Sequence, residues 1–172
     1  MSNPEFRYVI HIEATPERVW QGLTEADLTR LYWGVGLKSD WAAGSVVHWQ
    51  DDRDPEGRFV DLGMRVLAAE PGRLLSYTWH PYQPEDRVEF GWTEEEFAAA
   101  SEEESAVAFE LERIGSSVKL TLTHSGFTDP GSRMLLSVTD GWPSVLSRLK
   151  TVLETGTAPG GTHREWYRAA NY

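Results

Sequence analysis

Cysteine is absent from the 172 residues. Disulfides, thiolate metal sites and a cysteine nucleophile are therefore excluded, and the chain suits a reducing compartment. No apolar run approaches the roughly 18 residues that indicate a membrane helix, and no basic start followed by an apolar stretch marks a signal peptide. Cationic excess is missing as well: 16 Lys and Arg stand against 27 Asp and Glu, for a net charge of −11. Binding a phosphate backbone needs clustered Lys and Arg, so the balance argues against nucleic acid as a partner. These features predict a soluble, cytoplasmic protein with no membrane association.

Several chemical signatures are missing too. No two histidines stand at metal-ligand spacing and no acidic calcium loop appears, so neither a metal nor another cofactor is expected. Gly-rich phosphate loops are absent. Ser125 lies in Ser-Gly-Phe and not in a Gly-x-Ser-x-Gly elbow, which leaves serine-nucleophile catalysis unsupported. No residue is assigned a catalytic role.

Tryptophan, by contrast, is abundant, with 8 in the chain. Large amphipathic rings line cores, pockets and interfaces, so this count fits either an aromatic-rich core or a ligand cavity. The length suits one domain, over residues 1–156, followed by a linker-like tail at 157–172 that ends in Trp166, Tyr167 and Tyr172. Acidic residues crowd the segment 84–104, from Glu85 and Asp86 to Glu103 and Glu104, which reads as a solvated face or a docking surface for a basic partner.

Periodicity gives the elements. From Pro130 to Gly156 the apolar residues Met134, Leu135, Val138, Trp142, Val145, Leu146, Leu149, Val152 and Leu153 recur in steps of three and four. That spacing predicts one long helix with a single buried stripe. Asp129 is the predicted cap, Pro130 the first helical residue and Gly156 the stop. Before it, Phe6–Ile12 alternates as a strand, Thr15 caps a helix starting at Pro16, and Thr24 with Asp27 suggests a second short helix. Strands are predicted at 45–50, 58–62, 64–69 and 73–79, with Gly63 as a break. Two more follow, through Val107, Phe109 and Leu111 and through Val118, Leu120 and Leu122. Thr93 and Glu96 form a capping box for a short helix at 94–100. The order predicts an α+β fold in which a curved antiparallel sheet wraps the long helix and leaves a cavity between them.

The pieces Ala14-Thr15-Pro16-Glu17-Arg18-Val19-Trp20, Glu70-Pro71 through Trp79, Leu120-Thr121-Leu122-Thr123-His124-Ser125-Gly126-Phe127 and Gly141-Trp142 stand in a recognisable order. Together they resemble the helix-grip fold of the START and birch-pollen-allergen-like (SRPBCC) superfamily. Within it the chain is most similar to the family named for the activator of the ninety-kDa heat-shock-protein ATPase. The segment between Trp79 and Ser105 is longer than that pattern, and the histidine that relatives often carry shortly before Gly-Trp is missing. The resemblance implies a chaperone as a partner. A homodimer is suggested by the aromatic tail.

The candidate ligand-contacting residues are Trp20, Trp33, Trp49, Phe59, Tyr77, Trp79, Phe109, Leu120, His124 and Trp142. Strand parity puts His124 inward after Leu122, where it either acts as an acid or base near neutral pH or locks the following turn by a hydrogen bond. Arg58, Arg65 and Arg73 either hold an anionic ligand group or pair with the abundant carboxylates. The leading expectation is a binding protein for a small hydrophobic or aromatic molecule. The alternatives are a cavity enzyme of cyclase or hydrolase type and a chaperone cofactor.

Overall fold

Period-two burial makes the sheet of this protein, and a stripe of period 3.6 makes the helix packed on it. The computed structural model describes residues 2–161. Its element order is β1 (Phe6–Ile12), α1 (Pro16–Thr24), α2 (Ala26–Trp33), β2 (Gly36–Lys38), β3 (Val46–Gln50), β4 (Val60–Glu70), β5 (Leu74–Thr78), α3 (Pro84–Phe90), α4 (Glu94–Ser101), β6 (Ala106–Ile114), β7 (Ser117–Ser125) and α5 (Arg133–Thr155). The strands form one curled antiparallel sheet in the order β1-β7-β6-β5-β4-β3-β2. With the long C-terminal helix against it, this is the helix-grip arrangement. No helix among the described residues is long and apolar enough to cross a membrane.

Inward positions on the central strands are consistently apolar. Val107, Phe109 and Leu111 of β6 face the same side as Val118, Leu120 and Leu122 of β7, and all six are buried. Burying each such side chain is worth about 1.5–3 kcal/mol, so the two strands anchor the core. Helix α5 buries Met134, Leu135, Val138, Trp142, Val145, Leu146, Leu149 and Val152 along one stripe. Arg148 is buried on it too, and its guanidinium donates to the carbonyls of Tyr32 (2.7 Å) and Gly161 (3.1 Å).

Several boundaries differ from those the sequence predicts. Helix α5 begins at Arg133, because the Ser132 hydroxyl accepts from the Leu135 amide at 3.1 Å, while the Asp129 side chain is engaged by the Gly131 amide. Pro130 therefore precedes the helix. Pro143 stands inside it, where it cannot donate to the carbonyl one turn back. Glu25, not Thr24, occupies the cap of α2, and the Thr24 hydroxyl donates to the Trp20 carbonyl. The predicted strands 58–62 and 64–69 merge into one, β4, which starts at Val60, leaves Arg58 and Phe59 outside and carries Gly63 at φ +90° within it. β2, three residues long, and α3, with no buried residue, lack the periodicity that would reveal them. The capping box of Thr93 and Glu96 forms as predicted and opens α4.

The His-Ser-Gly-Phe segment closes β7. Gly126 takes φ +105°, and a Cβ there would lie 2.7 Å from the Glu104 carbonyl oxygen. This turn brings the wholly buried Phe127 back onto the His124 ring, with centroids 5.2 Å apart. Trp166, Tyr167 and Tyr172 lie outside the described residues.

Candidate functional site

His124 sits at the inward end of β7, opposite Val107, and has no exposed surface. Its Nδ1 receives the indole N–H of Trp142 on α5 at 3.0 Å, and its Nε2 lies 2.9 Å from the Ser105 hydroxyl. An indole nitrogen only donates, so Nδ1 must carry the lone pair and Nε2 the proton. Burial, and secondarily His80, push its pKa down to about 3. The ring is therefore neutral and in one tautomer at physiological pH. Its bond to Trp142 ties β7 to α5.

Around this tie stand four indoles. Trp33 at the end of α2 and Trp79 just beyond β5 are parallel, with centroids 6.1 Å apart and 6° between planes. Trp49 of β3 is perpendicular to both, at 83° and 89°. Trp142 contacts Trp33 at 5.3 Å and Trp79 at 5.2 Å. Rings in such edge and offset arrangements attract one another beyond their burial, so the four indoles pack as one wall.

Against that wall lies a cleft of about 150 Å³. Its floor is Trp33, Val35, Trp49, Trp79 and Trp142, and one side is α5 with Met134, Val138, Gly141 and Val145. Tyr82 and Phe90, from the insertion, close the opposite side. Trp92 braces them, packing on Tyr82 at 4.8 Å and Phe90 at 5.0 Å, while the Arg133 guanidinium covers its ring at 4.7 Å.

The rim is ionic. Arg53 donates to Asp51 through both Nε and Nη2 at 2.9 Å, and through Nη1 to Asp86 and Glu89 at 3.0 Å. These bonds pin α3 to the loop after β3. Burial alone would raise the Asp51 pKa, but the hydrogen bonds from Arg53, and a weaker one from the Trp49 indole, hold it well below the usual carboxylate range. Arg53 is correspondingly pushed up, first by its hydrogen bond to Asp51.

His80 also lines the cleft and packs edge-on against Trp49 at 4.5 Å. Its Nδ1 lies 2.8 Å from the Pro81 carbonyl, which can only accept, so Nδ1 bears the proton and Nε2 the lone pair. Burial lowers its pKa, opposed in part by that hydrogen bond and by Asp86 and Asp51.

Of the sequence-predicted ligand residues, the cleft gathers Trp33, Trp49, Trp79 and Trp142. Tyr77 and Phe109 meet instead at a void of only about 10 Å³ beneath the wall. His124 backs Trp142, and Leu120, four residues earlier on β7, is wholly buried. Trp20 packs on the core, and Phe59 lies beneath the Lys38 ammonium at 5.7 Å; neither lines the cleft. Arg58, Arg65 and Arg73 pair with Asp54, Asp61 and Glu70 respectively, each a few residues away. The sequence reading passed over Tyr82, Phe90, His80 and the Asp51–Arg53 pair. The Asp-Asp-Arg-Asp run at 51–54 was the available signal, since such a run can fold as an ion cluster as readily as a turn. Among the described residues no group of three His, Asp or Glu side chains is placed to hold a metal ion.

No functionally curated protein matches the sequence. Solved structures share the fold. The Aha1 dimer from Colwellia psychrerythraea superposes with a TM-score of 0.62 at 21% identity, over 89% of this chain and 98% of that one. Protein MLL2253 from Mesorhizobium loti gives 0.59 at 27%, over 86% and 96%. CalU16 from Micromonospora echinospora gives 0.60 at 20%, over 96% and 84%. The family described as Activator of Hsp90 ATPase homolog 1-like protein matches residues 13–154, from the loop before α1 to the end of α5. The match spans the floor and both sides of the cleft, and the chain belongs to that family.

Proposed function

We propose that this protein binds a small molecule, and that the cleft between the indole wall and α5 is where it does so. The observation that carries the reading is a concave space walled by Trp33, Trp49, Trp79 and Trp142 and closed by Tyr82 and Phe90. Ligand sites are characteristically apolar and aromatic with a few polar groups at fixed places. At about 150 Å³ the space matches a benzene-sized group, not a drug-sized one. We assign ligand contact to those four indoles, and a supporting role to Tyr77, Phe109, Leu120 and His124.

The enzyme reading needs an acid–base pair at the ligand. His80 supplies one base, but His124 is locked and neutral and Asp51 is tied to Arg53. Binding without chemistry ranks above it. The family name offers a chaperone as partner, and the acidic helix α4 is the surface we would assign to it. The dimeric relative likewise supports a homodimer. A cysteine-free chain suits the cytoplasm, where we place the protein.

Titration with benzene and indole, followed by tryptophan fluorescence, tests the reading. A saturable change in the wild type that weakens in Trp49→Leu supports it. An unsaturable or absent response from a protein with a cooperative thermal transition would overturn it.

A further inference from the structure

The aromatic walls of the cleft set the shape of its ligand, and one ring nitrogen among them sets its hydrogen bonding. Resting on the small-molecule reading, the geometry points to a phenol as the ligand class of this cleft: a single aromatic ring whose O–H donates to Nε2 of His80.

His80 is oriented by its own chain. It directly follows Trp79, and its ring packs edge-on to Trp49 at 4.5 Å and tilted against Trp79 at 4.8 Å. Its Nδ1 stands 2.8 Å from the Pro81 carbonyl and must donate to it, because a carbonyl oxygen only accepts. A neutral imidazole has one donor and one acceptor, so Nε2, on the opposite edge of the ring, presents a lone pair. Burial favours that neutral form.

The lone pair is open to the cleft. Among the described residues no group bonds Nε2, and the one buried side-chain polar atom without a partner is Nε of Arg87. Nε2 is therefore not sealed inside protein, and the space that His80 lines is the cleft. The rim beside it is already engaged with itself. Arg53 donates to Asp51, Asp86 and Glu89, and Asp86 also accepts from the Gln83 amide.

An acceptor set in an apolar wall selects a ligand with a donor, since a buried polar group left unmatched costs more than a matched one gains. A ligand carbonyl, ether or carboxylate would bring lone pair against lone pair. The walls favour a flat ring, which can stack on some of the four indoles and meet the edges of others. A space of about 150 Å³ admits one ring and not a fused pair. Among single rings with one compact donor, a phenol O–H is more acidic than an aniline N–H. It is the better match for an imidazole lone pair.

The test titrates the purified chain with phenol, with toluene, which has nearly the same shape and no donor, and with benzene. Calorimetry measures affinity, and nitrogen-15 NMR follows the His80 ring. Toluene is the more apolar molecule and would bind more tightly to a cleft without an acceptor, so the order of affinities is diagnostic. Phenol should bind about fivefold or more tighter than toluene, and the order should reverse in His80→Phe. The His80 Nε2 signal of the wild type should move with phenol and not with toluene, a readout that does not depend on how the variant folds. Toluene binding as tightly as phenol would overturn the donor assignment while leaving the cleft as an apolar site. So would an Nε2 signal indifferent to bound phenol, or a phenol preference that survives in a folded His80→Phe. Silence toward all three from a protein with a cooperative thermal transition would remove both this inference and the small-molecule reading beneath it.

Discussion

The indole nitrogen of Trp142 donates to Nδ1 of His124 at 3.0 Å, and that bond fixes the histidine's tautomer. Protonating Nδ1 would break it and leave a donor facing a donor in a site without water access. Burial, and secondarily His80, hold the folded ring's pKa down to about 3, against about 6.5 for the unfolded ring. Between these values the unfolded state holds the extra proton, so acid favours unfolding. The stabilisation from this site is complete above pH 6.5 and is lost as pH falls toward 3, with an upper bound of about 1.4 kcal/mol per pH unit in that interval. His80, also lowered by burial, acts in the same direction. Urea midpoints should be level above pH 7 and decline steadily below 6.5, with a shallower decline in His124→Gln. In NMR spectra the His124 ring signals should stay fixed from pH 8 to 5; a titration midpoint near 6.5 would contradict the assigned tautomer.

Trp142→Phe removes the donor while keeping an aromatic ring. It leaves His124 Nδ1 without its partner and opens space beside Trp33 and Trp79. The unpaired buried group and the added cavity together cost on the order of 2–4 kcal/mol. Chemical denaturation measures this directly. A loss below about 0.5 kcal/mol would mean that the indole packs without its hydrogen bond mattering.

The contrast between Trp142 and Arg53 shows what the sequence discloses and what it withholds. Trp142 lies on a stripe of nine apolar positions with helical spacing, so its burial on α5 is legible without coordinates, as is the inward parity of Leu120, Leu122 and His124 in β7. Local periodicity and strand alternation are properties of neighbours in the chain. The hydrogen bond from Trp142 to His124 joins residues eighteen apart, and the bonds from Arg53 to Asp86 and Glu89 span 33 and 36 residues. Nothing in the local pattern specifies such partners. For the same reason Phe59 and Trp20 looked as suitable for a cavity as Trp49 did. The positions of Tyr82 and Phe90 depend on α3, an exposed helix whose apolar residues follow no stripe.

Gly126→Ala tests the turn that seats Phe127 on His124. At φ +105° an alanine is strained, and its Cβ would fall 2.7 Å from a backbone oxygen that has no flexible end to move. A destabilisation of about 1–3 kcal/mol follows from the backbone conformation alone, and the clash adds to it. Gly160→Ala is the control, since nothing lies within 4 Å of a Cβ there. The melting temperature should drop by several degrees in the first variant and stay within a degree or two in the second.

Arg53→Gln tests whether the ion cluster holds the roof of the cleft. In the wild type Asp51, Asp86 and Glu89 converge on one guanidinium whose side chain is 29% exposed. Removing it takes away the donor shared by Asp51, Asp86 and Glu89 across the seam between α3 and the loop after β3. The loss of these charge-assisted hydrogen bonds costs about 1–3 kcal/mol at pH 7. The pH dependence follows from Asp51, whose folded pKa lies far below its ordinary 3.8. Its stabilisation is present above pH 3.8 and lost as pH falls through the folded value, and in the variant that depressed pKa rises back. The gap in stability between wild type and variant should therefore be widest near neutrality and close below about pH 4. Hydrogen exchange locates the effect: amides of 84–90 should exchange faster in Arg53→Gln while those of β6 and β7 keep their protection. Unchanged exchange in α3 would show that the aromatic contacts of Tyr82, Phe90 and Trp92 hold the roof without the ions.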